Sequence, residues 1–116
     1  MDARTAFEQR DDVVFLDVRE PYEWDAGHIE GALHIPMAQL PARTAEVPSD
    51  RTIVCVCQIG QHSDLAARFL QENGYTAQNL EGGMSVWHNE GLPSVTAAGD
   101  QGAVVDGFAR DFHGLL

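Results

Sequence analysis

Short β-branched runs alternate with helical spacings along this chain, the pattern of βα units built around a parallel sheet. Val13 to Val18 is almost continuously apolar, which predicts a strand covered on both faces. Ala32-Leu33-His34-Ile35 predicts a second short strand, stopped by Pro36. Thr52 to Val56 predicts the strongest strand and Ala77 to Leu80 a short one. Between them, residues 2–10 predict a short helix carrying Ala3, Ala6 and Phe7. Glu20-Pro21 opens a helical turn, with proline suited to the first helical position and glutamate to the positive end of the dipole. Residues 37–46 predict a helix that Pro41 weakens. Residues 63–73 predict an amphipathic helix with Leu65, Ala66, Phe69 and Leu70 on one face and Gly74 as its stop. A last helix is predicted over 84–90, ended by Gly91 and Pro93. From Ser94 to Gly102 the composition becomes small and polar, like a linker. The tail regains apolar spacing at Phe108, Phe112, Leu115 and Leu116, and is expected to dock on the domain rather than form an independent helix.

Composition narrows the function classes. The 116 residues suffice for one core without a disulfide framework. Eighteen acidic residues against seven basic ones give a formal charge of −11. All seven basic residues are arginines, so Schiff-base and P-loop lysine chemistry are excluded. The negative mean field makes nucleic acid and anionic membranes poor partners. No apolar leader opens the sequence and no apolar run is long enough to span a bilayer, so a reducing cytoplasm is the expected location.

Chemistry concentrates at Cys57-Gln58-Ile59-Gly60-Gln61-His62-Ser63, between the strongest strand and the best helix. Open parallel sheets place their ligands at the carboxyl ends of strands, which is where Cys57 falls. The loop enters a helix whose first N–H groups have no internal partner, and a thiolate beside them is stabilised. Gly60 allows backbone angles that aim successive N–H groups at one point, a nest for an anion. Cys57 is therefore either a nucleophile with its own anion pocket or a buried, inert thiol. Ser63 is expected to cap the helix. Cys55 shares the sheet face of Cys57 and is expected to be a structural thiol, since a bridge across one residue is strained. The five histidines show no ligand spacing, and no metal or organic cofactor is expected.

Three motifs in order resemble the single-domain rhodaneses, a family of sulfurtransferases. The first is Leu16-Asp17-Val18-Arg19-Glu20-Pro21-Tyr22-Glu23-Trp24 with Gly27-His28-Ile29-Glu30-Gly31-Ala32 and Ile35-Pro36. The second is the Cys57 loop, and the third is Leu80-Glu81-Gly82-Gly83 with Trp87, Gly91 and Pro93. The resemblance implies a rhodanese-like domain over residues 1–93, followed by a linker and tail over 94–116. It implies an α/β fold with a five-stranded parallel sheet flanked by helices on both faces. It also implies that Cys57 takes sulfane sulfur from thiosulfate or a persulfide and passes it to cyanide or a thiol, with residues 58–63 forming the substrate loop. Asp17 would order that loop and Arg19 the neighbouring architecture. A non-enzymatic binding or regulatory module is the alternative use of the same fold; whether the chain is a monomer or dimer is left open.

The loop departs from its relatives in one respect. Related phosphatases and arsenate reductases resemble a Cys-x5-Arg loop, whereas Ser63 stands at that arginine here, removing the bidentate clamp for a phosphoryl group. Many thiosulfate-active members resemble Cys-Arg-x-Gly-x-Arg, where this chain has Gln58 and His62. Neutral amides and one weak base attract a dianion less, which points to a persulfide donor.

Overall fold

The structure, a computed structural model, describes residues 1–97. Four parallel strands form one sheet: β1 (Val13–Asp17), β2 (Leu33–His34), β3 (Thr52–Val56) and β4 (Ala77–Asn79). Their spatial order is β2-β1-β3-β4. The chain leaves β1 toward β2 and returns to β3 on the other side. The carboxyl ends of β1 and β3 thus flank the point where strand order reverses, the usual place for a ligand crevice. Asp17 lies beside Val56 in the register, so Cys57 leaves the sheet next to Val18 and Arg19.

Alternation along β3 separates two apolar layers. Ile53 and Cys55 face one, with Leu16, Ile35, Leu40, Ala66 and Leu70, and Val54 and Val56 face the other, with Phe15, Leu80, Met84 and Trp87. The first layer lies under α3 (Leu40–Arg43) and α4 (Gln61–Glu72), and the second under α1 (Ala3–Glu8) and α5 (Gly83–Asn89). Trp87 anchors the second: its ring meets Phe7 and Phe15 edge-on at 5.9 and 5.7 Å, and its indole N–H donates to the Pro93 carbonyl at 2.9 Å. Each such fully buried side chain contributes roughly 1.5–3 kcal/mol by burial.

Three expectations change. The sheet has four strands among the described residues, not five. The nearest thing to a fifth is a single antiparallel pair, His28 with Val95, whose N–H and carbonyl groups exchange two bonds of 2.8 Å. That pairing does not extend into a strand among the described residues: α2 (Pro21–Ala26) and its cap Gly27 come just before it, and the Ile29–Ala32 turn follows it. The helix expected over 37–46 is broken into a 3-10 turn, the four residues of α3 and a second 3-10 turn. Pro41 sits in the first turn of α3, where its missing N–H is tolerated, but it cannot bond back to the preceding turn. In α4, Leu65 points outward at 54% exposure, and Ser63, Ala66, Ala67 and Leu70 form the buried stripe. The tail residues 98–116, with the Phe108–Leu116 pattern, lie outside the described residues.

Candidate active site

Beyond Val56 the β3 ladder stops, and Cys57 begins a tight loop into α4. Gly60 takes φ +96° there, a left-handed angle that glycine adopts without steric cost. This turn directs the Gly60 N–H at Cys57 Sγ, 3.0 Å away. Ser63, in the first turn of α4, places its hydroxyl 3.1 Å from the same sulfur. Ser63 therefore does not cap the helix, as its residue type had led us to expect. Gly60 occupies the cap position, and the serine faces the thiol.

The carbonyls of the loop are turned away from the sulfur and bound elsewhere. The N–H of Met84 donates to Cys57 O at 2.9 Å, and that of Ser85 to Gln58 O at 3.0 Å. Asn79, on β4, donates from Nδ2 to Gly60 O at 3.0 Å, and its Oδ1 lies 2.5 Å from Ser63 Oγ. The start of α5 approaches so closely that only glycine fits at position 83. A Cβ there would sit 2.3 Å from Cys57 O and 2.7 Å from Gln58 C, at a φ of +58°. Residues 79–85 thus form a cradle for residues 57–60. Sequence reasoning singled out the Gly82-Gly83 turn but passed over Asn79. Its signal is a polar residue beside Cys55 in an apolar sheet, just before that turn.

Asp17 and Arg19 divide their work differently from expectation. The Asp17 carboxylate accepts from Arg19 Nε, Nη2 and backbone N–H at 2.8–3.1 Å, and both residues are buried. Arg19, not Asp17, reaches the active loop: Nη1 donates to Gln58 Oε1 at 3.4 Å, and Nη2 to the Gly27 carbonyl at 2.7 Å. The buried charge is balanced within the pair, as burial requires. Nearby, Trp24 stacks on His28 and His34 with ring centroids 3.5 and 4.6 Å apart. Both histidines also bond backbone carbonyls, which accounts for them structurally.

Cys57 closes the floor of a cleft of about 720 Å³. Tyr22, Met37 and Ile59 give its walls an apolar character, while Glu20, Glu23 and His62 contribute the polar edge. Gln58 and Gln61 line it as well. Among the described residues, Arg19 is the only arginine on this cleft, and Asp17 already neutralises it. Cys55 is different in kind: burial, and then the charge on Cys57, push its thiol up to about 12. Among the described residues, no three of His, Cys, Asp and Glu gather as metal ligands. No helix there is long and apolar enough to cross a membrane.

Comparison with known proteins places this arrangement, a strand-end cysteine met by a loop N–H and a serine hydroxyl, in a family. The rhodanese-like domain model matches residues 2–90, and the chain belongs to that family. It is 40% identical over 90 residues to a sulfurtransferase of Allochromatium vinosum, covering 77% of this chain and 84% of that one. A rhodanese-related protein of Thermoplasma volcanium has a similar structure, with a TM-score of 0.80 and 32% identity, over 82% of this chain and 95% of that one. The domain is also found inside longer proteins. An HTH-type transcriptional regulator of Mycobacterium tuberculosis is 39% identical over 97 residues, 81% of this chain but 40% of the regulator.

Proposed function

We propose that this chain is a rhodanese-type sulfurtransferase in which Cys57 carries sulfane sulfur as a persulfide. The observation that supports this most is the setting of Cys57 Sγ. It lies on the floor of an accessible cleft, with the Gly60 N–H and the Ser63 hydroxyl at hydrogen-bond distance. Loading requires no redox partner. The Cys57 thiolate attacks the outer sulfur of a donor R–S–SH, the new S–S bond forms as the old one breaks, and R–S⁻ leaves with the electron pair. An acceptor thiolate or cyanide then attacks the outer sulfur of Cys57–S–S⁻ and restores the thiolate. Loop N–H donors suit the anion at each stage.

The charge of the cleft favours one donor class. Thiosulfate is a dianion, yet among the described residues the only arginine lining the cleft is spent on Asp17, and Glu20 and Glu23 line the cleft too. A thiol persulfide, with an organic body for Tyr22, Met37 and Ile59, fits better. Two free thiols are consistent with residence in a reducing cytoplasm. The second reading, a binding or regulatory module without turnover, draws on the occurrence of this domain within a transcriptional regulator. Intact-protein mass measurement separates the two. After an alkyl persulfide, the chain is expected to gain one sulfur atom that cyanide or dithiothreitol removes, with a smaller gain after thiosulfate. Absence of an adduct with every donor would establish the binding module instead.

A further inference from the structure

Both groups that meet the Cys57 sulfur are themselves held by one side chain. Asn79 Nδ2 donates to the carbonyl of Gly60, the residue whose N–H points at Sγ. The other end of the same amide, Oδ1, accepts from the hydroxyl of Ser63, the second group at Sγ. The amide cannot serve in the reverse orientation. Turning it over would set Oδ1 against Gly60 O, two acceptors without a proton between them. Asn79 also rides on β4, which is paired with β3 at Cys55 and so is fixed relative to the strand that delivers Cys57. A closed ring therefore runs from the sulfur through Gly60, Asn79 and Ser63 back to the sulfur.

We propose that Asn79 is a positioning residue for sulfur transfer: it steadies the Gly60 N–H that points at Cys57 and holds the Ser63 oxygen beside the sulfur, without touching the sulfur itself. The proposal rests on Cys57 being the reacting thiol. Gly60 has no side chain to restrain its backbone, and its left-handed turn leaves both flanking peptides free to rotate unless the carbonyl is tied. Tying that carbonyl removes one of the rotations by which the N–H of the same residue could swing away from the sulfur. Ser63 has one proton to give, to Asn79 Oδ1 or to the sulfur, and Asn79 holds its oxygen where either acceptor is in reach. Without the amide, both donors would spread over several orientations, and the charged forms of the sulfur would lose most from it. The neutral thiol would lose little.

The test follows alkylation of Cys57 by iodoacetamide across pH, with the modified cysteine located by peptide mass, in the wild type and in Asn79→Leu and Asn79→Ala. The first variant keeps the volume of the side chain and removes both bonds; the second decides the matter if the first does not fold. Each is expected to react about tenfold more slowly near neutral pH, with the rate–pH curve displaced by about one unit to the alkaline side. Thermal midpoints run in parallel. A folded variant whose curve overlays the wild type overturns the proposal. So does one that loses thermal stability yet keeps the wild-type curve, because Asn79 is then structural only. Wild-type Cys57 that resists alkylation altogether strikes the underlying assignment of the thiol, a result distinguishable from either.

Discussion

Cys55, in β3, and Cys57, just beyond its end, point to the same layer and are both buried, yet their surroundings differ chemically. Cys55 lies within the ladder, where neighbouring strands consume the backbone N–H groups and the side chain is packed in the apolar layer. Cys57 lies one residue past its end. There the N–H groups have no strand to pair with, and a glycine turn brings one of them onto the sulfur. Burial alone makes a thiol inert; burial beside unspent donors makes it usable. The boundary between the two conditions is the last hydrogen-bonded pair of the sheet, Asp17 with Val56.

The largest test of this contrast removes each sulfur in turn. Cys57→Ser is expected to abolish sulfur transfer in a cyanide assay, because serine does not ionise near neutral pH and cannot hold a persulfide. Cys55→Ser is expected to retain most of the wild-type rate. Equal losses with unchanged folding would mean that the two thiols work together.

A second test uses pH. The folded chain keeps Cys55 protonated up to about 12, whereas an unfolded cysteine ionises near about 8.5. Between those values the unfolded state binds fewer protons, so this contribution to stability is complete below about pH 8.5 and declines as pH rises, by about 1 kcal/mol per unit. Urea midpoints should therefore fall more steeply with alkalinity in the wild type than in Cys55→Ser. Parallel curves would show that burial of Cys55 carries no such penalty.

The smallest of the three perturbs the surroundings of Cys57 alone. Gly83→Ala forces a Cβ against Cys57 O and Gln58, so the loop or α5 must shift, at an expected cost of about 1–3 kcal/mol. Denaturation measures that cost, and alkylation should show Cys57 slowed while Cys55 stays unreactive in the native state. A neutral substitution would indicate that the cradle is looser than its distances imply.

Much of the fold was legible because it depends on local pattern. The β-branched runs at Val13 and Thr52, Pro21 at a helix start and Gly74 at a helix end each act within a few residues. The Cys57 loop was legible for the same reason, as a strand end followed by a glycine and a helix. What escaped depends on partners distant in the chain. Asn79 looks like an ordinary polar residue in a short strand until β4 is laid beside β3. Ser63 looks like a cap until the helix begins two residues earlier and turns it toward the sulfur. The fifth strand came from resemblance alone, and among the described residues only the single His28–Val95 pair stands where one would be sought.

The anchoring of residues 57–60 by residues 79–85 also has a temporal meaning. A growing chain that ends before β4 already contains Cys57, but it has neither the amide nor the helix start that turn the loop carbonyls outward. Fastening of the loop must wait for segments made later, and contacts between residues apart in the chain are slower to form than local ones. The loop that carries the donors of the sulfur is thus fastened only after residues 79–85 are in place. In an immature or locally opened chain the loop carbonyls are untied, so the setting of the sulfur depends on elements about twenty residues further along the chain.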